Sequence, residues 1–198
     1  MGYIAVIDYG VGNLMSVTNA LQYIGRESKI TDQASELERA DGIILPGVGA
    51  AEKLQQTGLV ATLKEQAAKK PLLGICLGMQ LLFDWSSEVR KTDGLGFVSG
   101  QVELIETDLK LPHIGWNSLQ FPNPSPLFAG LDEGCYVYFV HSFCGSAARQ
   151  ENVIATTDYG GEVLAAVQSG NVFGTQFHPE KSGDVGMQIL KNFGGLTK

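Results

Sequence analysis

Leu72-Leu73-Gly74-Ile75-Cys76-Leu77-Gly78-Met79-Gln80-Leu81-Leu82-Phe83 is the stretch that decides the fold. An apolar pair leads into a glycine-flanked thiol, and a helical pattern leads out. This reads as a strand, a tight turn and a helix. Gly-x-Cys-x-Gly is the pattern of a nucleophile elbow with cysteine in place of serine. Glycine permits the sharp turn and the close approach of a substrate. The helix that follows would aim free N–H groups and a positive dipole end at the sulfur, favouring thiolate. The Leu77 N–H would then receive an oxyanion. A buried structural cysteine is the plain alternative.

Outward from the elbow, the N-terminal half alternates strands and helices. Residues 3–7 read as a buried strand, 28–31, 42–45 and 72–75 as further strands, and 13–24, 36–40 and 54–68 as helical, the last with a break near Gly58. This βαβα grammar predicts an α/β fold with a mostly parallel central sheet and flanking helices. The second half is richer in strands, expected at 101–105, 135–140, 153–157, 163–168 and 172–176, before a closing helix at 184–193. Breakers stand between them at 122–126 and 159–161. No repeat, low-complexity tract or linker divides the 198 residues, so a single domain over 1–198 is expected.

Composition narrows the function. Apolar residues make up 44% and charged residues 18%, which excludes a disordered chain. A net charge of −7 argues against nucleic acid and against an anionic membrane surface as the main partner. No apolar run reaches the length of a membrane span. The first residues lack the basic start of a secretory signal. Cys76, Cys135 and Cys144 form no CxxC pair and no even disulfide set, so a reducing cytoplasm is expected.

A thiolate needs a base, and the base needs an orienting group. Of the three histidines, His113, His141 and His178, the last stands just past an apolar strand in Gln176-Phe177-His178-Pro179-Glu180. Sites collect at strand ends in open α/β sheets. Glu180 would hold one ring nitrogen and leave the other to face Cys76. A metal reading fails for want of further ligands, since a catalytic zinc takes three protein ligands. A zinc deaminase would need a downstream P-C-x-x-C, which is absent. A plain strand cap remains the alternative for His178. Pro46-Gly47-Val48-Gly49 follows a strand and is the candidate for a second oxyanion donor, at Val48. Gly10-Val11-Gly12 lacks the third glycine of a dinucleotide loop and reads as a turn.

Taken together, the loop at 46–49, the elbow and Phe177-His178-Pro179-Glu180 resemble the triad-type, class I glutamine amidotransferases over nearly the whole chain. The resemblance implies a flavodoxin-like fold and release of ammonia from glutamine through a γ-glutamyl thioester. It implies Cys76 as nucleophile, His178 as acid/base, Glu180 as its orienter, and N–H groups of Leu77 and Val48 as the oxyanion site. Gly49, Gln80 and Ser142 would contact glutamine. Cys76-Leu77-Gly78-Met79-Gln80, Gly12-Asn13-Leu14, Pro112-His113-Ile114-Gly115-Trp116-Asn117, Tyr138-Phe139-Val140-His141-Ser142 and His178-Pro179-Glu180-Lys181-Ser182 are similar to the glutaminase subunits of imidazole glycerol phosphate synthases, enzymes of histidine biosynthesis. Phe143 departs from the tyrosine often found there.

That resemblance implies a (βα)8-barrel cyclase subunit as partner in a heterodimer, with ammonia passing through the barrel. Asn13, Trp116, Asn117, Tyr138 and Lys181 are the candidate interface residues. Glutamine hydrolysis alone wastes glutamine, and a chain with no phosphate loop and no second site has no visible room for an acceptor reaction. No cofactor and no metal are expected. The rival readings are a glutaminase for another synthase, a stand-alone cysteine hydrolase of the same fold, and a non-catalytic module.

Overall fold

The computed structural model describes residues 2–10, 12–47, 52–88 and 90–197, with the side chain of Glu52 excepted. In chain order the elements are β1 (Ile4–Ile7), α1 (Leu14–Tyr23), β2 (Ser28–Thr31), α2 (Ala34–Arg39), β3 (Gly42–Leu45), α3 (Glu52–Gln56), α4 (Val60–Ala67), β4 (Leu72–Ile75), α5 (Leu77–Gln80) and β5 (Phe83–Ser86). Then come β6 (Thr92–Asp93), β7 (Val98–Leu104), β8 (His113–Ser118), β9 (Tyr136–His141), β10 (Phe143–Ala147), β11 (Val153–Asp158), β12 (Glu162–Ser169), β13 (Val172–Thr175) and α6 (Gly183–Leu196).

The main sheet has seven strands in the order β11-β12-β13-β4-β3-β1-β2. Its β13, β4, β3, β1 and β2 run parallel, while β11, β12 and β13 pair antiparallel. The four-residue strands β1, β3 and β4 are buried at every position because both faces of the sheet are covered. Alternate side chains divide between two cores. Ala5, Ile7, Ile43, Leu45 and Leu72 pack with Leu37 and Leu63 of α2 and α4. Ile4, Val6, Ile44, Leu73 and Ile75 pack with Val17 and Leu21 of α1 and with Ile189, Leu190 and Phe193 of α6.

The expected parallel core is therefore present, and most boundaries fall within one or two residues of the reading. Asn13 caps α1 instead of opening it, its Oδ1 accepting from the Ser16 N–H at 3.4 Å. The exit from the elbow differs. The expected helix through Phe83 is a single turn ending at Gln80, and Phe83 opens β5. Leu81, Leu82 and Phe83 are apolar because they enter the core, not because a helical face continues. Smaller sheets hold the rest. One has the order β10-β7-β5-β6, and the other pairs β8 with β9 antiparallel, His113 opposite His141. Among the described residues no helix is long and apolar enough to cross a membrane.

Gly78 shows how closely α5 sits on the sheet, for a Cβ there would collide with the backbone carbonyl of Leu45 in β3. Gly78→Ala should destabilise the chain by about 1–3 kcal/mol, the usual cost of overpacking. That outweighs the roughly 1 kcal/mol alanine gains inside a helix. A lowered urea midpoint at unchanged m-value would show it.

Candidate active site

Cys76 follows β4 directly, and its backbone takes φ 55° and ψ −110°, the one positive φ outside glycine among the described residues. Such a conformation costs on the order of 1–3 kcal/mol and persists only where the surroundings enforce it. Here the Cys76 N–H donates to Thr175 O of β13 at 2.7 Å, and the Cys76 carbonyl accepts the Gln80 N–H at 3.2 Å. At Gly74 a Cβ would lie 2.5 Å from the Gly78 carbonyl oxygen, so turn and helix fold back onto the strand. The sulfur ends up at the carboxyl edge of the sheet, on a residue only 7% exposed.

His178 lies beyond β13, the neighbour of β4, so the sheet register brings it to the same edge. Pro179–Lys181 forms a single 3-10 turn, which carries Glu180 back over the ring. His178 Nδ1 meets Glu180 Oε1 at 2.8 Å, with side chains 3% and 2% exposed. The ring and its strand are tied down from the other side: His178 N–H donates to Tyr138 O at 3.0 Å, and Ser182 Oγ donates to His178 O at 2.7 Å. His178 Nε2 is buried with no hydrogen-bond partner, as is Glu180 Oε2. Burial opposes charge on the ring, but the Cys76 side chain and then Glu180 outweigh it and raise His178 to about 9. The shift favours the imidazolium, the electrostatic complement of a thiolate.

The Leu77 N–H is engaged, donating to the Gly47 carbonyl at 3.3 Å. One residue earlier in that loop, Tyr9 Oη donates to Pro46 O at 2.6 Å from a buried position. Val48 and Gly49 lie outside the described residues. Gln80 Nε2 donates to Phe143 O at 3.0 Å and to Gln176 Oε1 at 3.1 Å. Gln176 Nε2 in turn reaches Cys76 Sγ at 3.7 Å. The Ser142 carbonyl accepts the Ile105 N–H at 2.9 Å.

The five interface candidates separate into kinds. Trp116 is 55% exposed and meets Tyr138 edge-on, ring centroids 6.1 Å apart. Lys181 is exposed, and Asn13 is half-buried as the α1 cap. Asn117 is committed inward, its Nδ2 bonding Asp158 O and His113 Nε2. Tyr9 and Gln176 are the residues at this site to which sequence reasoning gave no role. A glutamine directly after the apolar strand β13 and two residues before His178 was the available signal for Gln176, whereas nothing local marks Tyr9. A cleft of about 980 Å³ elsewhere, lined by Glu103, Cys144, Thr156 and Glu162 among others, includes none of the triad. Among the described residues no group of three or more His, Cys, Asp or Glu is placed to hold a metal.

The class I glutamine amidotransferase model matches residues 5–195. The chain belongs to the class I glutamine amidotransferase family. Within it, the amidotransferase is 50% identical to the imidazole glycerol phosphate synthase subunit HisH of Bacillus cereus strain B4264, over 98% of this chain and 95% of that one. It is 48% identical to the subunit of the same name from Moorella thermoacetica, with the same coverage. Among solved structures it resembles PurLQS from Thermotoga maritima, with TM-score 0.74, 23% identity and 98% of each chain covered. A structure titled as a glutamine amidotransferase gives TM-score 0.74 at 21% identity, covering 98% of this chain and all of that one. These two show the fold.

The His178 shift can be checked directly. NMR titration should place its pKa near 9, and Cys76→Ala should bring it down towards the ordinary 6.5. The ring binds its proton more tightly folded than unfolded. Its contribution to stability is therefore complete below about 6.5 and lost as pH rises through about 9. Cys76→Ala should flatten that loss in urea melts taken across this window.

Proposed function

We propose that this amidotransferase is the glutaminase subunit of an imidazole glycerol phosphate synthase, acting through Cys76, His178 and Glu180 within one domain over 1–198. The observation that carries the chemistry is the strained elbow cysteine at the same sheet edge as a buried histidine, held at Nδ1 by a carboxylate and unpartnered at Nε2. The synthase reading rests on the near full-length similarity to HisH subunits.

In the proposed reaction, Cys76 Sγ attacks the carbonyl carbon of the glutamine side-chain amide. The C–S bond forms as the C=O π bond opens to an oxyanion, which N–H groups of Leu77 and Val48 receive. His178 gives its proton to the amide nitrogen, the C–N bond breaks and ammonia leaves. His178 then takes a proton from water, whose oxygen attacks the thioester carbon. The C–S bond breaks, and glutamate and thiolate are released. Glu180 holds the ring tautomer and orientation throughout. Gln80, Ser142 and Gly49 contact the substrate, and a reducing compartment suits the free thiol.

Ammonia must be used where it is released, and a (βα)8-barrel cyclase is the proposed acceptor. Trp116, Tyr138, Asn13, Asn117 and Lys181 form its proposed docking surface, with the exposed Trp116 as its aromatic anchor. Gating follows from the loop. While Leu77 N–H donates to the Gly47 carbonyl, it is not free for an oxyanion. Docking of the liganded partner would turn the 46–49 loop and free that donor.

In the complex, Cys76→Ala should abolish glutamate release while added free ammonia still drives the cyclase. Glu180→Gln should lower kcat less, by about 10- to 100-fold, because it orients and does not react. Tyr9→Phe should loosen the Pro46 carbonyl and raise partner-independent glutamate release several-fold. An unchanged basal rate would separate Tyr9 from the gate.

A further inference from the structure

Two buried histidines play no part in the chemistry above. His113 in β8 and His141 in β9 are cross-strand partners, 2% and 6% exposed. His113 is stacked between Phe139 and Tyr159, with ring centroids at 4.6 and 4.0 Å. His113 Nδ1 lies 3.1 Å from His141 Nε2, and His141 Nδ1 lies 2.8 Å from Phe143 O.

These contacts fix every proton. The Phe143 carbonyl only accepts, so His141 Nδ1 carries hydrogen. Neutral His141 must then accept at Nε2, so His113 donates from Nδ1. His113 Nε2 accepts from Asn117 Nδ2 at 3.3 Å. Asn117 cannot reverse its amide, because its Oδ1 already accepts the Ser118 N–H at 2.8 Å. A second proton on either ring would place two donors face to face. Burial, the first cause in both cases, lowers the proton affinity of each ring, to about 4 for His141.

The same Phe143 carbonyl also accepts from Gln80, which donates its other hydrogen to Gln176, whose own N–H points at the Cys76 sulfur. The Phe143 carbonyl, which can only accept, sets the direction of every bond in this run, and His141 is the second donor that holds it.

We propose that His113 and His141 are positioning residues for the glutaminase: a neutral, tautomer-locked pair that holds the Phe143 carbonyl against Gln80 and so keeps the Gln176 N–H aimed at Cys76. This rests on Cys76 being the nucleophile. The pair stabilises the attacking sulfur through a chain of fixed dipoles, and does so without exchanging protons.

The test combines two measurements on the full chain. Nitrogen-15 NMR at pH 7 should show both rings neutral with hydrogen on Nδ1. A charged ring, or hydrogen on Nε2 of either, would overturn the proposal. Alkylation of Cys76 by a chloroketone analogue of glutamine should then slow about tenfold in His141→Leu. His141→Asn, whose amide nitrogen replaces Nδ1 as donor to Phe143, should recover to within about threefold of the parent. In the partner complex the same variants should lower kcat more than they raise KM. Equal alkylation rates for the parent and a folded His141→Leu would overturn the positioning role. A parent whose Cys76 does not react even in the complex with the liganded partner would instead overturn the nucleophile assignment.

Discussion

The contact between Gly78 and the Leu45 carbonyl is the constraint on which the site depends. It seats the single turn of α5 directly on β3 and leaves the chain no gradual route from strand to helix. The bend is concentrated at Cys76, which accepts a positive φ. Strain at this residue is offset by burial around it, since β4 is enclosed on both faces and paired along both edges. A thiol held this way needs little rearrangement before it reacts, because its position is set by packing and not by its own rotamer alone.

The same sheet aligns the remainder of the site. Parallel pairing of β13 with β4 places His178 beside the elbow, and one 3-10 turn suffices to bring Glu180 onto the ring. From the opposite side, β9 anchors the His178 segment through Tyr138 O and, through Ser182, the start of α6. The strand pair that displays Trp116 to solvent thus shares its backbone bonds with the proposed base, His178. The exposed face and the chemistry are parts of one hydrogen-bonded unit.

The parallel core was legible because its strands are continuous apolar runs separated by helical periodicity, and the elbow because glycine and cysteine stand at fixed offsets. Cys76, His178 and Glu180 could be assembled from chain order and sheet logic. Other features were not local in the sequence. Leu81–Phe83 look helical by composition and are core by tertiary packing. Strand β8 has no clean alternation, since His113, Asn117 and Gly115 interrupt it, and its structure depends on pairing with β9. The roles of Tyr9 and Gln176 depend on partners far along the chain, at Pro46 and Cys76.

The placement of the three thiols bears on how the sulfur ages. Oxidation of cysteine follows thiolate character and access, and a sulfenic acid is rescued when another thiolate condenses with it. Cys76 is nearly enclosed, which restricts peroxide. Cys135 and Cys144 are pushed towards the inert thiol by burial, Cys144 to about 11. Neither is disposed to act as a resolving partner. Once the proposed nucleophile is oxidised, repair must come from an external reductant, so enclosure is the chain's own protection of that sulfur.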